Sequence, residues 1–207
     1  MSHPRLLGVL AVLALGLAVA LAAFALDALR WSRSLETQDV RFLAAPTQAR
    51  YSSLPTVVPF GGTERALGAG DDLAFRQQLQ GFARVRPGVN FTEALLALRA
   101  ETQLGLARLS HSDPDAHRRS RAANMIGVIA LNESLAPRDA DALASLITGA
   151  IGSFRNAVEI DPGNADAKTN LELALRIAKA ASLGGDAPTG GRNTGESAGL
   201  GQPGSGY

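Results

Sequence analysis

The sequence predicts an all-α protein in three parts: an N-terminal transmembrane helix, a helical domain and a glycine-rich tail. Three observations predict this. Leu6–Leu26 runs 21 residues without a charge or a proline. From Asp71 to Ser182 apolar residues recur at helical spacing, and no stretch alternates with a period of two. The last 24 residues hold nine glycines, with Leu200 and Tyr207 as their only large apolar side chains.

The first part is residues 1–33, the anchor and its flanks. At about 1.5 Å per residue the apolar run spans roughly 30 Å, the thickness of a bilayer's hydrocarbon. Arg5 closes one end; Asp27, Arg30, Trp31 and Arg33 close the other, with Trp31 at the interfacial position. The competing reading is a cleaved signal peptide with Ala23-Phe24-Ala25 as its small-x-small site, although the apolar core exceeds the usual length. Orientation stays open. Arg30, Arg33 and Arg41 outweigh Arg5 and favour a cytoplasmic domain, whereas a short basic N-tail suits a signal anchor.

Residues 34–70 carry Pro46, Pro55, Pro59 and four glycines without a sustained period, so they read as a mostly irregular spacer. A short helix can continue from the membrane to about Ala45, and Tyr51 and Phe60 can pack the spacer onto the domain.

Residues 71–182 read as five helices. Asp71-Asp72 opens one with Leu73, Phe75, Leu79 and Phe82, stopped by Pro87-Gly88. Asn90 and Glu93 cap a second, whose stripe is Leu95, Leu98, Leu106 and Leu109. Asp113-Pro114 starts a third, through Ala122, Ala123, Ile126, Gly127 and Ile129. A fourth runs from about Arg138 with Leu143, Ile147, Ala150, Ile151, Phe154 and Val158 on one face. The fifth follows Asn164 and carries Ala167, Leu171, Ala174, Leu175 and Ala178. This is enough chain for an independent core. Residues 183–207 cannot bury enough surface to offset ordering and are expected to be disordered.

Composition excludes several function classes. Lys and Arg number 20 against 19 Asp and Glu, so no net field draws the chain to nucleic acid. Cysteine is absent, which removes disulfides, thiolate catalysis and Cys-ligated metal. No phosphate loop or nucleophile elbow occurs. The segment His111-Ser-Asp113-Pro-Asp115-Ala-His117 gathers four metal-ligand types in seven residues. Its spacing matches no established pattern, and capping by Asp113, with Pro114 in the first helical position, explains it more simply. Arg118, Arg119 and Arg121 lack interleaved aromatics and read as a solvated face or an acidic-peptide contact. The chain is therefore read as a non-enzyme with no cofactor, metal or small-molecule substrate.

The most specific pattern runs from Ala150 to Leu175. Ala150, Phe154, Ala157 and Pro162 are spaced 4, 3 and 5, as in the second helix and closing proline of a tetratricopeptide repeat. The alanines let a neighbouring helix approach, Phe154 fills the gap, Pro162 ends the helix and Asn164 can cap the next. Ile126-Gly127 resembles the large-then-glycine step of the first helix, with Gly127 permitting close packing. Gly127 and Ala150 lie 23 residues apart where the repeat has 12, so an insertion must lengthen the helices or their loop. Asn170-Leu171 begins a second unit, but Glu172 replaces its glycine, and 164–182 reads as a capping helix. An ordinary helical bundle is the alternative. On the repeat alignment Arg121, Asn124 and Val128 line the concave face, continued by Asp166, Thr169, Leu173 and Arg176. The terminal Gly206-Tyr207 is a further candidate contact, captured through its ring and carboxylate; an inert tail is the alternative.

Taken over most of its length, the chain also resembles a family of bacterial, especially actinobacterial, membrane-anchored tetratricopeptide proteins. The resemblance is carried by Gly70-Asp71-Asp72-Leu73-Ala74-Phe75-Arg76, Arg121-Ala122-Ala123-Asn124, the stretch Phe154 to Arg176, and Pro203-Gly204-Ser205-Gly206-Tyr207. It implies a neighbourhood of MoxR-type AAA ATPases and von Willebrand A-domain membrane proteins, and an accessory or scaffold role there. The expected function is a single-pass, membrane-anchored module that binds other proteins. The alternatives are a structural subunit of an envelope assembly with no free groove and, third, a metal-dependent enzyme.

Overall fold

The computed structural model describes residues 3–53, 56–58, 62–85, 92–134 and 139–184. Every regular element among them is a helix: α1 His3–Ala44, α2 Gly62–Leu67, α3 Ala69–Arg84, α4 Glu93–Ser112, α5 Ala116–Ser134, α6 Ala140–Ile160 and α7 Ala165–Gly184. The all-α class read from the sequence is the class observed. The chain divides into two compact units, residues 1–102 and 103–207, and the division falls inside α4. The 70/71 boundary in composition is a different feature, the end of the glycine- and proline-rich stretch. Composition registers where glycine and proline end, whereas compactness depends on what each segment packs against.

In the first unit α1 is one unbroken helix of 42 residues, about 63 Å long. It is long and apolar enough to cross a membrane. Its leucines from Leu7 to Leu26 lie open, Leu15 at 68% for example. Beyond them the helix changes character. Trp31 is only 3% exposed and joins Tyr51, Ala69 and Leu73 in a core, with Leu35 and Phe42 against it. Trp31 is thus a packing residue rather than an interfacial float.

The spacer folds back along this helix. The Asp27 carboxylate, 1% exposed, accepts from the backbone N–H groups of Val57 (2.8 Å) and Val58 (2.9 Å) and from the Thr63 hydroxyl (3.2 Å). Irregular backbone has no ladder to satisfy its donors, so a side chain must. Gln38 accepts from the Ser52 N–H at 2.8 Å, and Arg84 donates to the carbonyls of Thr47 and Ala49. Asp39 accepts from Tyr51 Oη at 2.9 Å and takes Arg76 through both carboxylate oxygens, at 2.9 and 3.0 Å. Arg76 also pairs with Asp72. Burial, with Asp39 beside it, pushes the Tyr51 phenol up. The segment from 34 to 70 is therefore helical at both ends, through α1 and through α2 and the start of α3. The expected packing of Phe60 lies outside the described residues.

Several helix starts differ from their sequence reading. Gly68 stands before α3 with φ 62°, a left-handed conformation that suits glycine, so Asp71 and Asp72 fall in the first turn rather than at the cap. Thr92 caps α4 by accepting from Leu95 N–H at 3.3 Å; Asn90 and Pro87-Gly88 lie outside the described residues. At α5 the cap is Asp115, which accepts from Arg118 N–H at 2.9 Å, and Asp113 precedes it. That bond holds the Asp115 carboxyl below its ordinary range. Asp139 caps α6 at 2.7 Å.

Candidate protein-interaction site

The second unit is built on α6. Ile147, Ala150, Phe154 and Ala157 recur at i, i+3 and i+4 and are all buried. α5 and α7 both pack against α6, and they also meet each other. Phe154 is fully buried in a cluster with Leu131, Ala150 and Ala174, against which Val128, Ile151, Leu171, Leu173 and Ile177 pack. A second cluster joins Ala123, Ala157 and Ala167, one alanine from each of the three helices.

Gly127 sets the helix spacing. A Cβ placed there would sit 2.5 Å from Cε1 and 2.7 Å from Cδ1 of Phe154. Only hydrogen fits between them. The added residues between Gly127 and Ala150 do not disturb this seam, because α5 continues to Ser134 and α6 begins at Ala140. Chain added at the loop end of a helical hairpin lengthens both helices and leaves the register behind it unchanged. Eleven residues are also close to three helical turns.

A buried polar chain ties the other end of the hairpin. Ser120 Oγ donates to the Ala157 carbonyl at 2.7 Å, and Asn164 Nδ2 donates to Ser120 Oγ at 2.8 Å. Asn164 Oδ1 accepts from Ala167 N–H at 3.0 Å, capping α7 as its position predicts. Asp161-Pro162-Gly163-Asn164 closes as a turn, with Asn164 N–H on the Asp161 carbonyl. The Asp161 carboxylate accepts from Gly163 N–H and meets His117 Nδ1, both at 2.8 Å. His117 holds that carboxyl below its ordinary range. Sequence reasoning missed Ser120; a serine three residues before the Ala123 packing position was its only signal.

The candidate contact residues separate into two groups. Asp166, Thr169 and Arg176 are exposed on α7, with Arg176 paired to Glu172 at 2.5 Å and the Thr169 hydroxyl turned to the Ala165 carbonyl. Arg121 on α5 is half-buried. Asn124 accepts from Asn170 Nδ2 at 3.0 Å, a direct α5–α7 bond. Val128 and Leu173 pack against the Phe154 cluster, so they support the unit from within more than they offer an open surface. Tyr207 and the tail lie outside the described residues.

The segment around His111 is occupied by other work. Arg118 Nε lies 3.0 Å from both Asp113 oxygens, Asp113 also accepts from Asp115 N–H, and His117 meets Asp161. Among the described residues no three His, Asp or Glu side chains converge as a metal would require.

A weaker copy of the pattern precedes the first. Thr102, Leu106, Leu109 and Pro114 have the spacings of Ala150, Phe154, Ala157 and Pro162, and Thr102 and Leu106 are buried. Gly81 on α3 matches Gly127, since a Cβ there would lie 2.6 Å from Thr102 Oγ1. The spacing was the available signal; threonine and leucine in place of alanine and phenylalanine concealed it.

No family model matches the chain, and neither a curated protein nor a solved structure does.

Proposed function

We propose that the chain is a single-pass membrane protein whose α5–α7 unit is a tetratricopeptide-type module that binds another protein. The observation behind the module is the Gly127–Phe154 seam, where a glycine on one helix admits an aromatic ring from the next. A third helix, capped by Asn164, covers the pair. The observation behind the anchor is α1, whose open apolar stretch is as long as a bilayer is thick. By the family resemblance, the partner class is the membrane-associated machinery around a MoxR-type AAA ATPase and von Willebrand A-domain proteins, with this chain as scaffold rather than catalyst.

A second reading is supported by Val128 and Leu173, which pack inward, and by the Asn124–Asn170 bond between α5 and α7. Less of the concave face is then open, as suits a structural subunit without a free groove.

The test is recovery of partners with the full-length chain, solubilised in detergent from its native membrane. Asp166→Arg with Arg176→Glu changes two exposed side chains and should abolish partner recovery while helix content is unchanged. Recovery undiminished by the pair removes the α7 face from the interface. A native chain found in the soluble fraction, with a new terminus at Leu26, removes the anchor.

A further inference from the structure

One concave feature of the first unit is not used by the interaction reading. Ser34, Thr37, Gln38 and Arg41 stand at i, i+3, i+4 and i+7, so they share one face of α1. With Arg50 and Ser52 from the returning spacer they line a cleft of about 280 Å³.

The wall of this cleft is held in place. Gln38 is 7% exposed; its Nε2 donates to Ser34 Oγ at 2.8 Å, and its Oε1 accepts from Ser52 N–H at 2.8 Å. The amide thus joins helix to spacer, holding the Ser34 hydroxyl and the Ser52 backbone. Ser34 Oγ, having accepted from Gln38, keeps its own proton to donate. The Thr37 hydroxyl is committed to the Arg33 carbonyl at 2.8 Å. The nearby Asp39 is occupied by Tyr51 and Arg76. Arg41 and Arg50 are exposed and have no carboxylate partner among the described residues.

The cleft therefore presents two guanidinium groups and two hydroxyl donors, with no acid to balance them. Guanidinium forks match the tetrahedral oxygens of phosphate and hold them bidentately. We infer that this cleft binds a phosphate dianion, free or as a monoester. Two unit charges match the two arginines, and the volume admits one phosphate with a small substituent.

Two sources carry that chemistry: a soluble phosphate compound, or a phosphomonoester lipid headgroup. Position favours the first. Ser34 lies eight residues past Leu26 and Arg41 fifteen, about 12 and 22 Å along the helix. The polar layer of one leaflet is only about 5–7 Å deep.

The experiment uses the full-length chain in phosphatidylcholine-based micelles and titration calorimetry. Three titrants are compared: inorganic phosphate, dihexanoyl phosphatidic acid and dihexanoyl phosphatidylcholine. Saturable binding of inorganic phosphate at one site is expected, weakened about tenfold or more by Arg41→Gln or Arg50→Gln alone and abolished by the pair. Both arginines are exposed, so circular dichroism of the variants should match the parent. Arg50→Lys, which keeps the charge without the fork, should retain part of the affinity. Binding of phosphatidic acid but not inorganic phosphate, with the same loss in the variants, retains the phosphate site and assigns it to lipid. Absence of binding to either phosphate titrant, or equal binding by the paired variant, overturns the inference.

Discussion

The two units are held together by different chemistry. In the first, side chains reach across long stretches of sequence to irregular backbone: Asp27 to Val57 and Val58, Gln38 to Ser52, Arg84 to Thr47 and Ala49. In the second, the helices satisfy most of their own backbone and meet chiefly through apolar packing of alanines, Gly127 and Phe154. A few polar bonds from Ser120, Asn124 and Asn164 lie beside it. The difference follows from what each backbone lacks. A spacer without regular structure needs acceptors and donors from elsewhere, and only polar side chains supply them. Paired helices need only a matching shape. Damage should therefore be local and electrostatic in the first unit, and cooperative and steric in the second.

The largest expected effect is in the second unit. Phe154→Ala empties a fully buried site shared by three helices and should destabilise the unit by about 3–5 kcal/mol, read from thermal or denaturant unfolding. An unchanged midpoint would show that the seam is not what holds α5 to α6.

Next is Gly127→Ala. Its methyl would meet the Phe154 ring, and forcing the helices apart should cost about 1–3 kcal/mol. The sharper measurement is the cycle. In a Phe154→Ala background the same methyl enters the vacated space, so Gly127→Ala should become neutral or stabilising. Additive effects would mean that the two positions do not meet.

The first unit should break differently. Asp27→Ala removes one acceptor and leaves the N–H groups of Val57 and Val58 without it, freeing the spacer while α5–α7 stays folded. Trypsin cleavage after the exposed Arg50 should accelerate on the order of tenfold, the scale set by one buried unsatisfied group. Asp27→Asn, which keeps one acceptor oxygen, should recover part of the protection. A rate equal to that of the parent would show that Asp27 does not fasten the spacer.

This contrast also explains what the sequence revealed. Phe154, Gly127 and Asn164 were legible because helix packing and capping recur at short, fixed spacings. The bond from Asp27 to Val57 spans thirty residues and ends on a backbone N–H, which every residue but proline carries; no residue type advertises it. Position alone puts Trp31 at the membrane interface, yet Tyr51, Ala69 and Leu73 gather around it. Thr92 and Asp115 cap α4 and α5 where several capping residues stand side by side, so residue type alone does not pick one. At the candidate site, exposed Asp166 and Arg176 were readable from the helical pattern. The cleft between Arg41 and Arg50 was not, because it exists only once the spacer returns along α1.

The smallest expected effect concerns Asp161, where the second unit borrows the polar chemistry of the first. His117 and the Gly163 N–H hold its carboxyl below the ordinary value of 3.8. A carboxyl depressed on folding stabilises the fold above its unfolded pKa, and loses that contribution as pH falls through the folded value. The stabilisation should therefore be complete at neutral pH and disappear only in the acid range below 3.8. His117 is 64% exposed on its side chain, so solvent and salt screen the pair and the effect on global stability is small. The direct measurement is carbon-13 titration of the Asp161 carboxyl. It should titrate below 3.8 in the parent, and His117→Ala should move it upward, with raised salt reducing the difference between the two. Identical titrations would show that the imidazole does not act on the turn, leaving Gly163 N–H to fix the Asp161 side chain.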